Sequence, residues 1–92
     1  AGGLLVTAAA VLQPELFCAV IAEVPFVDVL VSMADKTVPW RDYEVSEWGD
    51  STISDDCEYM RRYCPITNAV PGRRYPKCLV TTGMNDPRVQ YW

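Results

Sequence analysis

The segment CLVTTGMNDPRVQYW, residues 78–92, decides the predicted fold class. Residues 78–82 are an apolar run with β-branched residues, which is typical of a buried strand. The run leads through Gly83 to the carboxylate of Asp86. A strand that is followed by a glycine turn and an acid is how α/β folds place a charged group at the mouth of a site. We therefore expect Asp86 to be a functional residue.

Two segments near the other end of the chain agree with an α/β fold. Residues 4–12, LLVTAAAVL, favour helix and are apolar on every side, so we expect a helix that is buried all round. Residues 19–24, AVIAEV, form a nearly continuous apolar run, as in a parallel strand that is covered on both faces. The order helix, strand, helix, strand is a βαβ pattern that lacks its first strand, and it predicts a parallel sheet packed with helices. We therefore expect residues 1–92 to form a partial α/β domain.

The remaining segments are predicted to be shorter. Residues 14–17 should make a connecting turn, and residues 28–33 should make a helical turn. Residues 35–54 carry Pro39, Gly49 and scattered charge, so we expect a long irregular segment there. Residues 55–63 have acids at the start and bases at the end, as the helix macrodipole favours, and Pro65 should stop that helix. Pro71-Gly72 marks a turn before the last strand.

Composition narrows the functional classes. The formal net charge is −4, which argues against general affinity for nucleic acid. No apolar run approaches the roughly 20 residues that a membrane helix needs, so no membrane role is expected. Seven of the twelve acids lie between residues 42 and 58, and this acidic segment is either a solvated face or an attractor for a cationic ligand.

Cysteine and histidine usage argues against a metal site and against a complete catalytic triad. Cys57 and Cys64 are about 10.5 Å apart along a helix, which is beyond disulfide reach. With no C-x-x-C motif and no histidine, the usual zinc patterns are absent, and we expect no cofactor and four reduced thiols in a cytoplasmic protein. A mechanism that needs histidine cannot be completed within these 92 residues.

The two ends of the chain suggest where the other catalytic groups belong. Gly2-Gly3 before a buried helix is the pattern that follows a nucleophile elbow, where glycines allow the sharp turn from strand to helix. The nucleophile would then precede Ala1. In α/β-hydrolases the chain order is serine, acid, histidine, so Asp86 lies where the acid belongs and the histidine would follow Trp92.

Several blocks of sequence together resemble one family. The blocks AGGLL, PELFCAVIAEVPFVDVL, EWGD, YCPITNAV and YPKCLVTTGMNDPRVQYW are similar, in order and spacing, to the catalytic domain of the prolyl oligopeptidase family of serine peptidases, and within it to oligopeptidase B. The resemblance implies an α/β-hydrolase peptidase domain, cytosolic and capped by a β-propeller that admits only short peptides. It also implies cleavage after Arg and Lys.

The resemblance assigns roles to particular residues. Asp86 matches the triad acid, and Ala1 follows the nucleophile, so its backbone N–H matches an oxyanion-hole donor. Arg88 matches a position that binds a substrate carbonyl. Phe26 and Val89 match apolar positions of the primary specificity pocket.

The acidic segment is where the sequence departs from that family. The family has two glutamates one residue apart before EWG; Glu44 fits the first position, but Ser46 occupies the second. Glu47 matches a third acid outside the pair. Glu44 is therefore the expected partner of a cationic substrate side chain, and the missing second carboxylate at Ser46 weakens the expected preference for paired basic residues.

Two alternatives remain open at this point. The same scaffold carries peptidases and esterases of other specificity, which would not need Glu44. A non-catalytic remnant that acts through protein contacts is also compatible, and we expect the 92-residue chain by itself to be inactive.

Overall fold

The structure, a computed structural model, describes all 92 residues. Its elements in chain order are α1 (Gly2–Leu12), a 3-10 turn (Pro14–Leu16), β1 (Ala19–Glu23), α2 (Val29–Ala34), α3 (Arg41–Trp48), α4 (Ser54–Arg61), α5 (Pro65–Asn68) and β2 (Lys77–Thr81). The predicted α/β class is confirmed. No helix has the length and apolar character needed to cross a bilayer.

The two strands form a parallel pair, as predicted. The register runs from Ala19 opposite Lys77 to Glu23 opposite Thr81. Burial alternates along β1, with Val20 and Ala22 buried, whereas every residue of β2 is exposed. The expectation of a sheet covered on both faces is therefore wrong for this chain, because the packed helices cover one face of β1 only.

The first helix is present, but it is not buried all round. Leu4, Thr7, Ala8 and Ala10 are buried, whereas the Leu5 side chain is 71% exposed. The reason is that α1 packs on one side only, against β1, α5 and the 3-10 turn. The apolar composition of a helix shows which surface it could bury, and here part of that surface has no partner.

The segment 35–54 is where the expected irregular structure is wrong. It contains α3, whose amphipathic signal is weak because most of its side chains are polar. Gly49, at φ 96°, ends the helix in a backbone conformation that glycine adopts without strain. On the preceding turn, the Trp48 indole Nε1 donates a hydrogen bond to Glu44 Oε2 at 2.6 Å, a contact between residues four apart that stabilises helix.

The most deeply buried cluster of the core lies among the helices, and a second buried region lies between α1 and β1. Val29 and Met33 of α2 meet Met60 of α4 and Cys64, and none of the four is exposed to solvent. The helices predicted at 28–33 and 55–63 are thus confirmed as α2 and α4. Pro65 lies at the start of α5 rather than only ending α4, since proline suits the first helical position. This helical layer carries α3 and the aromatic residues of the site.

Candidate active site

The carboxylate that follows β2 is held in a fixed orientation by the backbone. Asp86 N–H donates to the Gly83 carbonyl at 3.2 Å and closes the turn after the strand. Asp86 Oδ1 accepts hydrogen bonds from the amides of Val89 at 2.9 Å and Arg88 at 2.8 Å. These two bonds lower the pKa of Asp86 below its ordinary value. Asp86 Oδ2 makes no hydrogen bond within the chain, so an ionised oxygen remains free to accept one.

A cavity of about 310 Å³ lies directly beside this turn. Four parts of the chain line it: the residue before α1, the turn that follows β1, helix α3 with the residue before it, and the two residues after Asp86-Pro87. Its lining consists of Ala1, Phe26, Trp40, Glu44, Glu47, Trp48, Arg88 and Val89. The cavity combines aromatic walls with two carboxylates and one guanidinium.

Glu44 is the most constrained charged group of the cavity. Its Oε1 accepts a hydrogen bond from Arg88 Nη2 at 2.7 Å, and its Oε2 accepts the Trp48 indole bond already described. The Arg88 bond and then the Trp48 bond lower the pKa of Glu44. The Glu44 side chain is 15% exposed and the Arg88 side chain 76% exposed. The carboxylate is therefore ionised and largely desolvated, with both oxygens engaged.

Three aromatic rings form an apolar wall of the cavity. Phe26 meets Trp40 and Trp48 edge to face, with centroid distances of 5.9 and 5.7 Å. Such pairs contribute packing energy beyond the area they bury and hold the rings in one geometry. The Trp40 indole Nε1 is buried and has no hydrogen-bond partner in the chain.

A strained turn delivers Phe26 to this wall. Val24, just after β1, has φ 47°, a left-handed conformation that costs energy for a β-branched residue. Its N–H donates to the Thr81 carbonyl at 2.8 Å, which continues the pairing of β1 with β2. Next to it, Gly3 of α1 approaches Pro25 so closely that a Cβ on Gly3 would lie 2.5 Å from Pro25 Cα. The start of α1 and the turn that carries Phe26 are thus packed backbone to backbone.

The structure brings together most of the residues that the sequence singled out. Five of the seven line the cavity: Ala1, Phe26, Glu44, Arg88 and Val89. Asp86 does not line the cavity, but its carboxylate accepts hydrogen bonds from the backbone amides of two residues that do. Ser46 is exposed and lies outside the lining, with its hydroxyl 3.4 Å from the Tyr43 carbonyl oxygen, and its part in substrate binding stays a prediction.

Three cavity residues were not singled out as site residues from the sequence. Trp40 and Trp48 were overlooked, and Glu47 was placed outside the substrate pair. All three lie on or next to α3, in the segment that was interpreted as irregular. The spacing of Trp40, Glu44 and Trp48 at four-residue steps was the available signal, because side chains at that spacing share one face of a helix.

The fold and the site define a class of protein, namely α/β proteins with an acid after a parallel strand and a pocket beside it. A profile of the prolyl oligopeptidase family matches residues 1–92. The chain belongs to this family.

Comparisons with individual members of the family give the same assignment. The chain is 47% identical over its whole length to Protease 2 of Moraxella lacunata, of which it covers 13%. It superimposes on oligopeptidase B of Trypanosoma brucei, solved with covalently bound antipain in a closed form, with a TM-score of 0.93 at 43% identity, over 99% of this chain and 13% of that one. For oligopeptidase B of Leishmania major the TM-score is 0.92 at 42% identity, over 99% of this chain and 12% of that one.

The matched region is a small part of each relative. The chain spans 13% of the length of Protease 2 and 12% to 13% of the two solved chains. Its α/β arrangement matches part of the catalytic domain of the solved structures of the family.

Proposed function

We propose that the full-length protein that carries this chain is a serine-type oligopeptidase that hydrolyses short peptides after Arg or Lys. The observation that carries the proposal is the Asp86 carboxylate, fixed after a parallel strand with one free oxygen beside a pocket that holds Glu44. The nucleophilic serine and the histidine would be supplied by parts of the protein outside these 92 residues.

In this mechanism Asp86 acts on the histidine. Its Oδ1 is occupied by two backbone amides, so its free Oδ2 is the oxygen available to the histidine ring N–H. That bond would hold the ring in the tautomer that accepts the serine proton, and the negative charge would stabilise the imidazolium that forms. The lowered pKa supports this role, because it favours the ionised form of Asp86, which accepts the hydrogen bond from the ring.

The start of α1 supplies a hydrogen-bond donor for the oxyanion hole. Ala1 is the N-cap of α1 and lines the cavity, which supports the proposal that its amide in the full-length protein would donate to a developing oxyanion. The positive end of the α1 dipole lies at the same N-terminus and would also stabilise the oxyanion. Close packing of Gly3 on Pro25 supports the proposal, because it packs the start of α1 against the turn that carries Phe26.

The pocket supplies selectivity for a cationic side chain. Glu44 offers a largely desolvated carboxylate, and a guanidinium forms its strongest hydrogen bonds with such a group. Trp40, Trp48 and Phe26 provide faces and edges for the aliphatic stem and the planar cation. Val89 closes the apolar side. We further propose a cytoplasmic location and a β-propeller in the same chain that limits the size of substrates.

The decisive experiment is Asp86→Asn in the full-length protein. Asparagine keeps the shape but removes the charge and favours the wrong histidine tautomer, so kcat should fall by about 10⁴, as in the analogous serine protease. The measurement is kcat and KM on a fluorogenic peptide with Arg before the scissile bond. Asp35→Asn is a matched control, since Asp35 also accepts a loop amide but lies outside the cavity. An Asp86→Asn enzyme with most of its activity would remove Asp86 from the triad.

A further inference from the structure

The candidate cation pocket is already occupied by a cation of the chain itself. Arg88 Nη2 lies 2.7 Å from Glu44 Oε1, the carboxylate that a substrate guanidinium would need. The other oxygen is bonded to Trp48 Nε1. A substrate cation therefore cannot form a direct, bidentate pair with Glu44 in this arrangement.

The two partners differ strongly in exposure. Glu44 is largely buried, whereas Arg88 reaches in from solvent with most of its side chain exposed. An exposed guanidinium can swing back into water at little cost, but a buried carboxylate that loses its partner keeps a desolvation penalty. The pair is therefore easy to exchange for another cation and unfavourable to break without one.

We propose that Arg88 is the resident counter-ion of Glu44, which the cationic side chain of a substrate displaces when it enters the pocket. The proposal rests on the proposed cation pocket. It adds a selectivity device, because a neutral side chain that pushes Arg88 away leaves Glu44 unpaired, whereas Arg or Lys restores the pair. Displacement also releases the Arg88 guanidinium for other contacts with the bound peptide.

Glu47 supplies negative charge that favours the exchange of Arg88 for a substrate cation. It lines the same cavity, is exposed and forms no ion pair in the structure. With Glu44 neutralised by Arg88, the Glu47 carboxylate leaves the side chains of the occupied cavity with net negative charge. An incoming cation is thus attracted to the cavity before it reaches Glu44.

The test is a double-mutant cycle read by direct binding of benzamidine, a rigid amidinium without a peptide backbone. Isothermal titration calorimetry of the full-length protein gives its Kd for the wild type, Arg88→Gln, Glu44→Gln and the double variant. Arg88→Gln should bind benzamidine about two- to fivefold more tightly, because the competing guanidinium is gone, and the effect is modest because that guanidinium is mostly exposed. In the Glu44→Gln background the same change should have no effect, because the two residues are coupled only through their contact.

A charge control and the contrary outcomes complete the design. Arg62→Gln removes another exposed arginine, one with no side-chain ion pair, and should leave the Kd unchanged. An unchanged Kd in Arg88→Gln, or a gain that persists without Glu44, overturns the resident counter-ion. Failure of benzamidine to bind either the wild type or Arg88→Gln overturns the proposed cation pocket itself.

Discussion

At the scale of single residues, two adjacent glycines have opposite surroundings. Apart from its chain neighbours and its own helix backbone, Gly2 has no heavy atom within 4 Å of the place where a Cβ would lie. One residue later, Gly3 has the Pro25 Cα at 2.5 Å and the Pro25 Cβ at 3.0 Å. Both belong to α1, so helix propensity is the same for the two, and only the packing of the turn after β1 distinguishes them.

These glycines yield a paired prediction. Gly3→Ala should destabilise the full-length protein by about 1–3 kcal/mol, because backbone atoms must move to admit the methyl group. Gly2→Ala, the matched control, should be neutral or stabilising by up to about 1 kcal/mol, since alanine favours helix. The midpoint of urea unfolding measures both. Equal effects at the two positions would contradict the close packing of α1 on Pro25.

Glu44 is the residue on which the proposed specificity depends. Glu44→Gln should lower kcat/KM for a substrate with Arg before the scissile bond by about ten- to a hundredfold, because a charge-assisted hydrogen bond contributes about 1.5–3 kcal/mol. A matched substrate with norleucine at that position should lose no activity. Glu58→Gln, an exposed glutamate of α4 outside the cavity, serves as the control. If both substrates lose activity equally, Glu44 has a structural role instead.

At the scale of elements, one buried arginine joins the helix of the pocket to its neighbours. Arg41 at the start of α3 donates from Nε to the Met33 carbonyl of α2 at 2.8 Å. Its Nη2 lies 2.7 Å from Asp50 Oδ2, just beyond the end of α3, and its Nη1 lies 2.8 Å from Asp42 Oδ1. Both ends of α3 are thereby tied to one guanidinium, which fixes the position of Glu44 and Trp48 over the cavity.

The Asp50 carboxylate makes the contacts of Arg41 with the ends of α3 sensitive to acid. The Thr52 hydroxyl, the Thr52 amide and Arg41 together lower the pKa of Asp50 from 3.8 to about 2. Because the folded state holds the proton less tightly than the unfolded chain, Asp50 contributes its full stabilisation above pH 3.8 and loses it as the pH falls through about 2. The stability difference between the wild type and Asp50→Asn should therefore shrink across this window.

Urea midpoints of the full-length protein at pH 5, 3.5 and 2.5 measure that difference. Thr52→Val removes the hydroxyl that lies 2.6 Å from Asp50 Oδ1 and should give an intermediate dependence on pH. If the urea midpoints of the wild type and of Asp50→Asn depend on pH in the same way, the proposed role of Asp50 in acid sensitivity is wrong.

At the scale of the whole molecule, little of the chain is enclosed. Only 15 of 92 residues are buried, and large apolar side chains remain exposed on α1, β1 and β2, among them Leu5, Ile21 and Leu79. A parallel sheet normally has both faces covered. These surfaces are those that the remainder of the catalytic domain would cover under the proposed function.

We therefore predict that the isolated 92-residue chain does not unfold cooperatively. Its apolar faces are too poorly covered for burial to offset the conformational entropy of ordering the chain. Differential scanning calorimetry on a sample shown to be monomeric by analytical ultracentrifugation is the measurement. A sharp transition with equal calorimetric and van't Hoff enthalpies would refute this prediction.

The sequence by itself located α1, α2, α4 and both strands to within about two residues. Apolar runs located α1, β1 and β2, and Pro and Gly positions located the turns, because these signals depend on neighbours in the chain. The acid after β2 was also evident, since a Gly-x-x-Asp after a strand is a local pattern.

Only the tertiary structure decided which faces are covered and which residues meet. Helix α3 was missed because its stabilisation comes from Arg41 bound to distant carbonyl and carboxylate groups, not from an apolar stripe. The pairing of Glu44 with Arg88 joins residues 44 positions apart, and Glu47 enters the cavity because α3 turns it there. Such contacts depend on how elements are placed in space, which no local pattern of residues specifies.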